Sequence, residues 1–123
     1  MPRHLRFTAA LLFGCTVVVS FAKEPEFESV ATVKEHLEQK AGVHIRTDKG
    51  WTVADDPETM ALWTFTTEGH EAHPAVFMRK VVQAEGSIYL KTWGLCEAEK
   101  DPCDALSAEF EELNDSIRTH MRR

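Results

Sequence analysis

Four side chains that can hold a metal ion lie within six residues of one another: Glu68, His70, Glu71 and His73. Neutral imidazoles are ligands for zinc, copper or nickel, and carboxylates can complete such a site. Both imidazoles would lie on one side of a helix, but Pro74 disfavours helical backbone at the residue before it. The spacing also differs from the His-Glu-x-x-His pattern of zinc proteases, whose second histidine comes one residue later. A zinc or copper site on this loop is therefore one hypothesis, and a solvated acidic loop is the other.

Cys96 and Cys103 form a second candidate site. They are the only cysteines after residue 22, and an even number of cysteines in an oxidising compartment indicates a disulfide. Their spacing is wider than the Cys-x-x-Cys of redox-active pairs. We predict a structural disulfide that closes a loop of eight residues, with a redox pair or a metal site as the alternatives.

A third candidate is an aromatic and cationic patch for binding. Tyr89, Lys91 and Trp93 share one face of a strand-like segment, 87–95, because side chains alternate along a strand. If the opposite, aliphatic face is buried, these three side chains are exposed, which is typical of a protein or ligand contact. The alternative is that the aromatic rings fill the core.

Arg79 and Lys80 are neighbours in another strand-like segment, so their side chains point to opposite faces. One of the two must lie near the apolar side of the sheet. A buried cation needs a carboxylate partner, and we therefore expect a structural ion pair at this position.

The elements that must position these residues follow from periodicity and from turn residues. Asp55-Asp56-Pro57-Glu58 breaks the alternation after the first hairpin. The predicted elements are a helix over 29–41, a hairpin over 43–54, strands over 61–67, 75–83 and 87–95, and a helix over 102–121. This order predicts an α+β fold in which an antiparallel sheet, made of the hairpin and a three-strand meander, packs against both helices on one face.

Ser29 is the predicted N-cap of the first helix, and Asp101 is the predicted N-cap of the second. The second helix carries an apolar stripe with helical spacing. The stripe is made of Leu106, Phe110, Leu113, Ile117 and Met121. We expect it to pack on the protein's own sheet, with a partner helix as the alternative.

The first 22 residues have the features of a cleaved signal peptide. Arg3 and Arg6 precede an apolar run over 7–19, and Ser20-Phe21-Ala22 supplies small residues before a cleavage point. We expect a periplasmic or secreted protein of one domain, 23–123, that begins with a loose leader over 23–28 and does not insert stably in a membrane. An uncleaved anchor and a lipoprotein attached through Cys15 are the alternatives.

The net charge excludes one class of function. The chain of 123 residues has a formal charge of -6, which becomes -8 without the first 22 residues. An acidic chain without a basic stripe is a poor binder of nucleic acid. It would instead attract a basic partner and speed the encounter with it.

One stretch of the sequence resembles that of other proteins. The run 63–66 (WTFT), followed by His70, the run 73–75 (HPA) and Arg79, resembles a stretch of small exported proteins of unknown function from Gram-negative bacteria. In those proteins, a strand with tryptophan precedes a His/Pro loop and a basic strand, and a cysteine pair lies downstream. The resemblance covers residues 63–103 and implies a location in the bacterial envelope. It implies no activity and no site residue.

These observations lead to three functional hypotheses. The first is a soluble periplasmic protein that binds without catalysis, for example an inhibitor or immunity-type partner of a basic envelope protein. The second is a metal-binding protein that uses His70 and His73. The third is a small hydrolase whose site the sequence does not reveal.

Overall fold

The computed structural model describes residues 27–122, which fold into two helices and a five-stranded sheet. The elements in chain order are α1 (Val30–Gln39), β1 (His44–Asp48), β2 (Trp51–Asp56), β3 (Ala61–Thr66), β4 (Ala75–Ala84), β5 (Ser87–Cys96) and α2 (Lys100–Met121). Every strand pairs with the next one along the chain, and every pair is antiparallel. The α+β prediction is confirmed. The predicted signal peptide, Cys15 and the first part of the expected leader lie outside the described residues.

The predicted hairpin and meander form one continuous sheet because their connections are short. Lys49 and Gly50 join β1 to β2, and both have positive φ, as a tight two-residue hairpin turn requires. We expected the alternation to break at Asp55 and Asp56, and this was wrong, since both residues belong to β2 and pair with β3. The strand ends only when Pro57 follows.

The two helices cover opposite faces of the sheet, so the expectation that both lie on one face was wrong. α1 packs on Ala54, Phe65 and Val76, whereas α2 packs on Ala75 and Phe77. Adjacent residues of a strand point to opposite faces. Because β4 is apolar on both faces in this part, each face must be covered.

α1 is fixed at both ends. Ser29 is its N-cap, as predicted, and forms a capping box with Thr32. The backbone N–H of Val30 donates to the carboxylate of Glu97, which follows β5. At the other end, Lys40 is the C-cap and its ammonium group reaches Asp56 of β2. The helix is therefore tied to the sheet by polar contacts as well as by its buried valines and leucine.

α2 begins at Lys100, two residues before the predicted start, and its N-cap is Glu99 instead of Asp101. Phe110 stacks on Phe77 of β4 with ring centroids 4.3 Å apart. Gly94 of β5 permits this arrangement, because a Cβ atom there would lie 2.7 Å from the Phe77 ring. Of the apolar stripe, Leu106 is buried, whereas Leu113 and Met121 are exposed. α2 therefore covers its face of the sheet only in part. Neither helix within residues 27–122 is long and apolar enough to cross a membrane.

The predicted disulfide is confirmed. Cys96 ends β5, Cys103 lies in the first turn of α2, and their sulfur atoms are 2.08 Å apart. The backbone N–H of Glu97 donates to the carbonyl of Pro74, and its side chain accepts from α1. The segment Cys96–Cys103 therefore links both helices to the same end of the sheet.

Reduction of the disulfide should lower the free energy of unfolding by about 2.5 kcal/mol, because an eight-residue loop is released in the unfolded chain. Urea unfolding with and without reductant measures the change, and a Cys96→Ser, Cys103→Ser variant is the control that reductant should leave unaffected. An unchanged midpoint on reduction of the wild type would contradict the stabilising role.

Candidate functional site

A cavity of about 380 Å³ lies between α1 and the sheet, and we call it the α1-side cavity. Phe27, Trp63 and Trp93 form one part of its wall. Each pair of these rings has centroids 5.9 Å apart in tilted or edge-to-face geometry, so the three form one contiguous aromatic surface. Phe27 belongs to the segment that we expected to be a loose leader, yet its ring also packs edge-on against His36 of α1.

The polar part of the wall is built around Asp56. Asp56 is only 3% exposed. Its Oδ2 accepts a hydrogen bond from the Lys40 ammonium group at 2.6 Å and another from the Thr59 hydroxyl at 3.0 Å. Burial acts to raise the pKa of Asp56, but the hydrogen bonds from Lys40 and Thr59 outweigh it and leave the pKa below its usual value. The hydrogen bond to Asp56 raises the pKa of Lys40. The wall of the cavity therefore contains an ion pair between Lys40 and Asp56.

Two residues in the wall each have a buried polar atom with no hydrogen-bond partner among residues 27–122: Oδ1 of Asp56 and Nε1 of Trp63. Asp56 pairs with Ala61 in the sheet, and Trp63 is two residues further along β3. The two side chains are thus diagonal neighbours on one face, with Cα atoms about 7–8 Å apart. A buried unpaired acceptor or donor costs about 1–3 kcal/mol. An acceptor and a donor that lack partners in one cavity can bind a ligand that carries the complementary groups.

The loop after β3 places its histidines in separate local contacts. Nδ1 of His70 accepts from the backbone N–H of Ala72 at 3.0 Å, and its ring centroid is 5.2 Å from that of Trp51. Nδ1 of His73 is hydrogen-bonded to the Thr66 hydroxyl at 2.9 Å, before a cis peptide bond to proline. Among residues 27–122, no group of three or more His, Cys, Asp or Glu side chains is arranged to hold a metal ion. The sequence hypothesis had combined Glu68, His70, Glu71 and His73.

The three residues of the predicted aromatic and cationic patch differ in how far they are exposed. Tyr89 is 48% exposed near the tip of the β4–β5 hairpin, and Lys91 is also exposed. Trp93 is partly buried and packs with the core beside α1, where it lines the α1-side cavity. All three share one face of β5, but only Trp93 belongs to the cavity.

The sequence analysis did not identify Asp56 and did not separate Trp63 from the other core aromatics. The sequence did contain a signal for Asp56. Ala54 and Asp56 are two residues apart in β2, so their side chains lie on the same face of the strand, opposite to that of Trp51. A carboxylate next to an alanine on a buried face requires a cation. That cation is Lys40 at the end of α1, although Lys49 and Arg46 are nearer to Asp56 in sequence. No periodicity argument could have identified the unpaired Trp63 indole, since that depends on packing around it.

A comparison with known proteins gives no match: no family model, no curated protein and no solved structure is similar to this chain. The geometry of the cavity is therefore the basis for the functional proposal.

The ion pair makes stability depend on pH in the acid range. The folded-state pKa of Asp56 lies below the unfolded value of about 3.9. Its contribution is therefore fully present above about pH 4 and is lost as the pH falls through the folded-state pKa. We expect Asp56→Asn to lower the free energy of unfolding at pH 6 by about 2 kcal/mol, and this difference should shrink toward pH 3.

Urea unfolding of the wild type and the variant from pH 3 to pH 6 measures this dependence. Asp48→Asn is the matched control, because Asp48 is an exposed residue of β1. A stability difference between wild type and Asp56→Asn that stays constant across this range would contradict the ion pair.

Proposed function

We propose that this chain is a non-catalytic binding protein of the cell envelope, and that a small ligand occupies the α1-side cavity. One observation carries the proposal: Asp56 and Trp63 line the same cavity, and Oδ1 of the first and Nε1 of the second are buried without a hydrogen-bond partner among residues 27–122. Native proteins pair nearly all such atoms, so two exceptions in residues that line one cavity call for a functional explanation. A ligand that pairs both atoms recovers the free energy lost by burying them.

The chemistry of the wall defines the class of ligand. Trp63, Trp93 and Phe27 favour a flat or ring-shaped apolar body that can pack against aromatic faces. Oδ1 of Asp56 needs a hydroxyl, amide or amine donor, and Nε1 of Trp63 needs an acceptor. The expected ligand is thus a small ring compound with at least one donor and one acceptor group.

Export to the periplasm is part of the same proposal. The Cys96–Cys103 disulfide supports it, because structural disulfides persist in oxidising compartments and are rare in the cytosol. The signal-like sequence of residues 1–22 supports it independently.

The three tryptophans of the chain provide a direct test, because each indole N–H gives its own signal in a ¹H–¹⁵N correlation spectrum. We expect ring compounds that carry hydroxyl or amide groups to shift the Trp63 signal most, since its N–H gains an acceptor. The Trp51 signal should stay in place, because Trp51 packs on the α2 side of the sheet. Asp56→Asn should weaken binding on the order of tenfold, through loss of a charged acceptor.

Trp63→Phe assigns the signal and removes the donor while it keeps an aromatic ring, and Asp48→Asn is the control that should bind as the wild type does. Compounds that bind and leave the Trp63 signal unchanged, or a compound set from which none binds, would contradict the proposal.

A basic protein partner is a second candidate, and the exposed surface of α2 favours it. Six carboxylates lie on exposed positions of this helix: Asp101, Asp104, Glu109, Glu111, Glu112 and Asp115. Lys100 pairs with Asp104 and Arg118 pairs with Asp115, so the helix carries both signs with an acidic excess. Such an excess raises the association rate with a basic partner. An inhibitor or immunity-type role toward a basic envelope enzyme would use this surface, with Tyr89 as an exposed aromatic contact on the other face.

Charge reversal on α2 tests this second candidate. Glu109→Lys with Glu112→Lys should slow association with a strongly basic muramidase about tenfold at low salt, and the difference should diminish as salt is added. Surface plasmon resonance measures both rates. Glu58→Lys is a matched control, because Glu58 is exposed and lies away from α2. Association that is equally fast for all three proteins would exclude the α2 surface.

A further inference from the structure

The opposite face of the sheet holds a second cavity, of about 290 Å³, between α2 and strands β3 to β5. We call it the Arg79 cavity. Its side chains include Thr64, Thr92 and Ser107 as hydroxyl groups and Phe77 as an apolar wall. Asp56 and Trp63 do not line it, whereas Met78 and Trp93 line both cavities.

Arg79 is a half-buried cation that forms no ion pair with the described residues. It lies on the α2 side of β4, where its sheet neighbours are Leu62 of β3 and Thr92 of β5. No ion pair or hydrogen bond joins its guanidinium to another of the residues 27–122. Burial lowers the pKa of Arg79, and no neighbouring carboxylate opposes that effect. The structural ion pair that we expected at this strand is therefore not formed by Arg79.

A second polar group in the wall also lacks a partner. Asn114 of α2 is 6% exposed, and its Oδ1 has no hydrogen-bond partner. Its position, four residues after Phe110, turns it toward the sheet instead of toward solvent. A polar side chain at a buried position of an apolar stripe costs stability unless something pairs with it. Asn114 and Arg79 thus line the same cavity from the helix and from the sheet, and Arg79 also lines a neighbouring cavity with Asp48 and Glu109.

An oxyanion satisfies this arrangement best. A carboxylate or phosphate accepts two parallel hydrogen bonds from a guanidinium, and the three hydroxyl groups can donate to its remaining lone pairs. The amide of Asn114 can then pair with a hydroxyl or amide elsewhere on the same molecule. Glu111 at the same cavity is exposed and unpaired with Arg79, and it disfavours an anion without cancelling the guanidinium.

We propose that the Arg79 cavity is a binding site for a small molecule with an oxyanion group, which Arg79 binds while the rest of the molecule lies against Phe77, Phe110 and Asn114. Arg79 does not line the α1-side cavity and Asp56 does not line the Arg79 cavity, so substitutions at these two residues test either site without the other.

Benzoate and inorganic phosphate are suitable probes, because the first is a carboxylate on an apolar ring and the second is a free oxyanion. Each is added to the ¹⁵N-labelled full mature chain at constant ionic strength, and the Arg79 Nε–H signal is followed. We expect saturable shifts with millimolar affinity, typical of such small ligands. Saturation by benzoate alone assigns the site to carboxylates on an apolar body, and saturation by phosphate alone assigns it to phosphates. If neither probe shifts the Arg79 signal, the proposal is overturned.

Two substitutions separate binding from folding. Arg79→Gln should weaken binding on the order of tenfold or more, and Glu111→Gln should strengthen it by removing a like charge. Arg122→Gln removes an equal charge from an exposed residue at the end of α2 and should leave binding unchanged. Equal binding by Arg79→Gln and wild type would overturn the proposal.

The stability of Arg79→Met in the absence of probe gives an independent result. Methionine replaces an unpaired, half-buried guanidinium by an apolar side chain of similar reach, so the urea midpoint should rise or stay level. A clearly lower midpoint would mean that the guanidinium stabilises the fold itself, and would contradict its assignment as an unpaired binding group.

Discussion

The sheet is wider than the single helix that covers each of its faces, and the position of both cavities depends on this difference. Five strands at a spacing of about 4.8 Å make a sheet roughly 19 Å across, whereas one helix with its side chains covers about 10 Å. Because β4 is apolar on both faces, each face requires a cover, and each receives a single helix. A cavity therefore lies beside α1 on one face and beside α2 on the other.

The buried polar atoms without partners concentrate at these two places. Within residues 27–122 they belong to Asp56, Trp63 and Asn114, and all three residues line one of the two cavities. A chain selected for stability alone would replace such groups with apolar ones, because each costs free energy in the unliganded protein. Departures of this kind from local rules are expected at functional sites. The tethers at both ends of α1 and the disulfide at the start of α2 hold the cavity walls in place.

Local rules predicted much of the fold and little of the site. The alternation of apolar residues predicted the strands, and Ser29 predicted the start of α1. The two cysteines predicted the disulfide. These predictions depend only on residues that are close in sequence. The prediction that both helices lie on one face of the sheet was wrong. β4 carries apolar residues on both faces, and alternation alone does not show which face a helix covers. The two sites depend on contacts between distant segments, such as Lys40 with Asp56 and α2 with Arg79. Three site residues gave a signal in the sequence: Asp56 shares a strand face with Ala54, Arg79 lies next to Lys80 in a strand, and Asn114 lies at a helical spacing within an apolar stripe.

If the α1-side cavity holds a small molecule in the cell, as we propose, that molecule should remain bound during gentle isolation. Native mass spectrometry of the wild type and of Trp63→Phe, each isolated gently from the cells that produce it, would detect this molecule. We expect the wild type to carry the mass of one small organic molecule in addition to the disulfide-bonded chain, and the variant to have lost it. The bare chain mass in both proteins, or the same added mass in both, would contradict the claim.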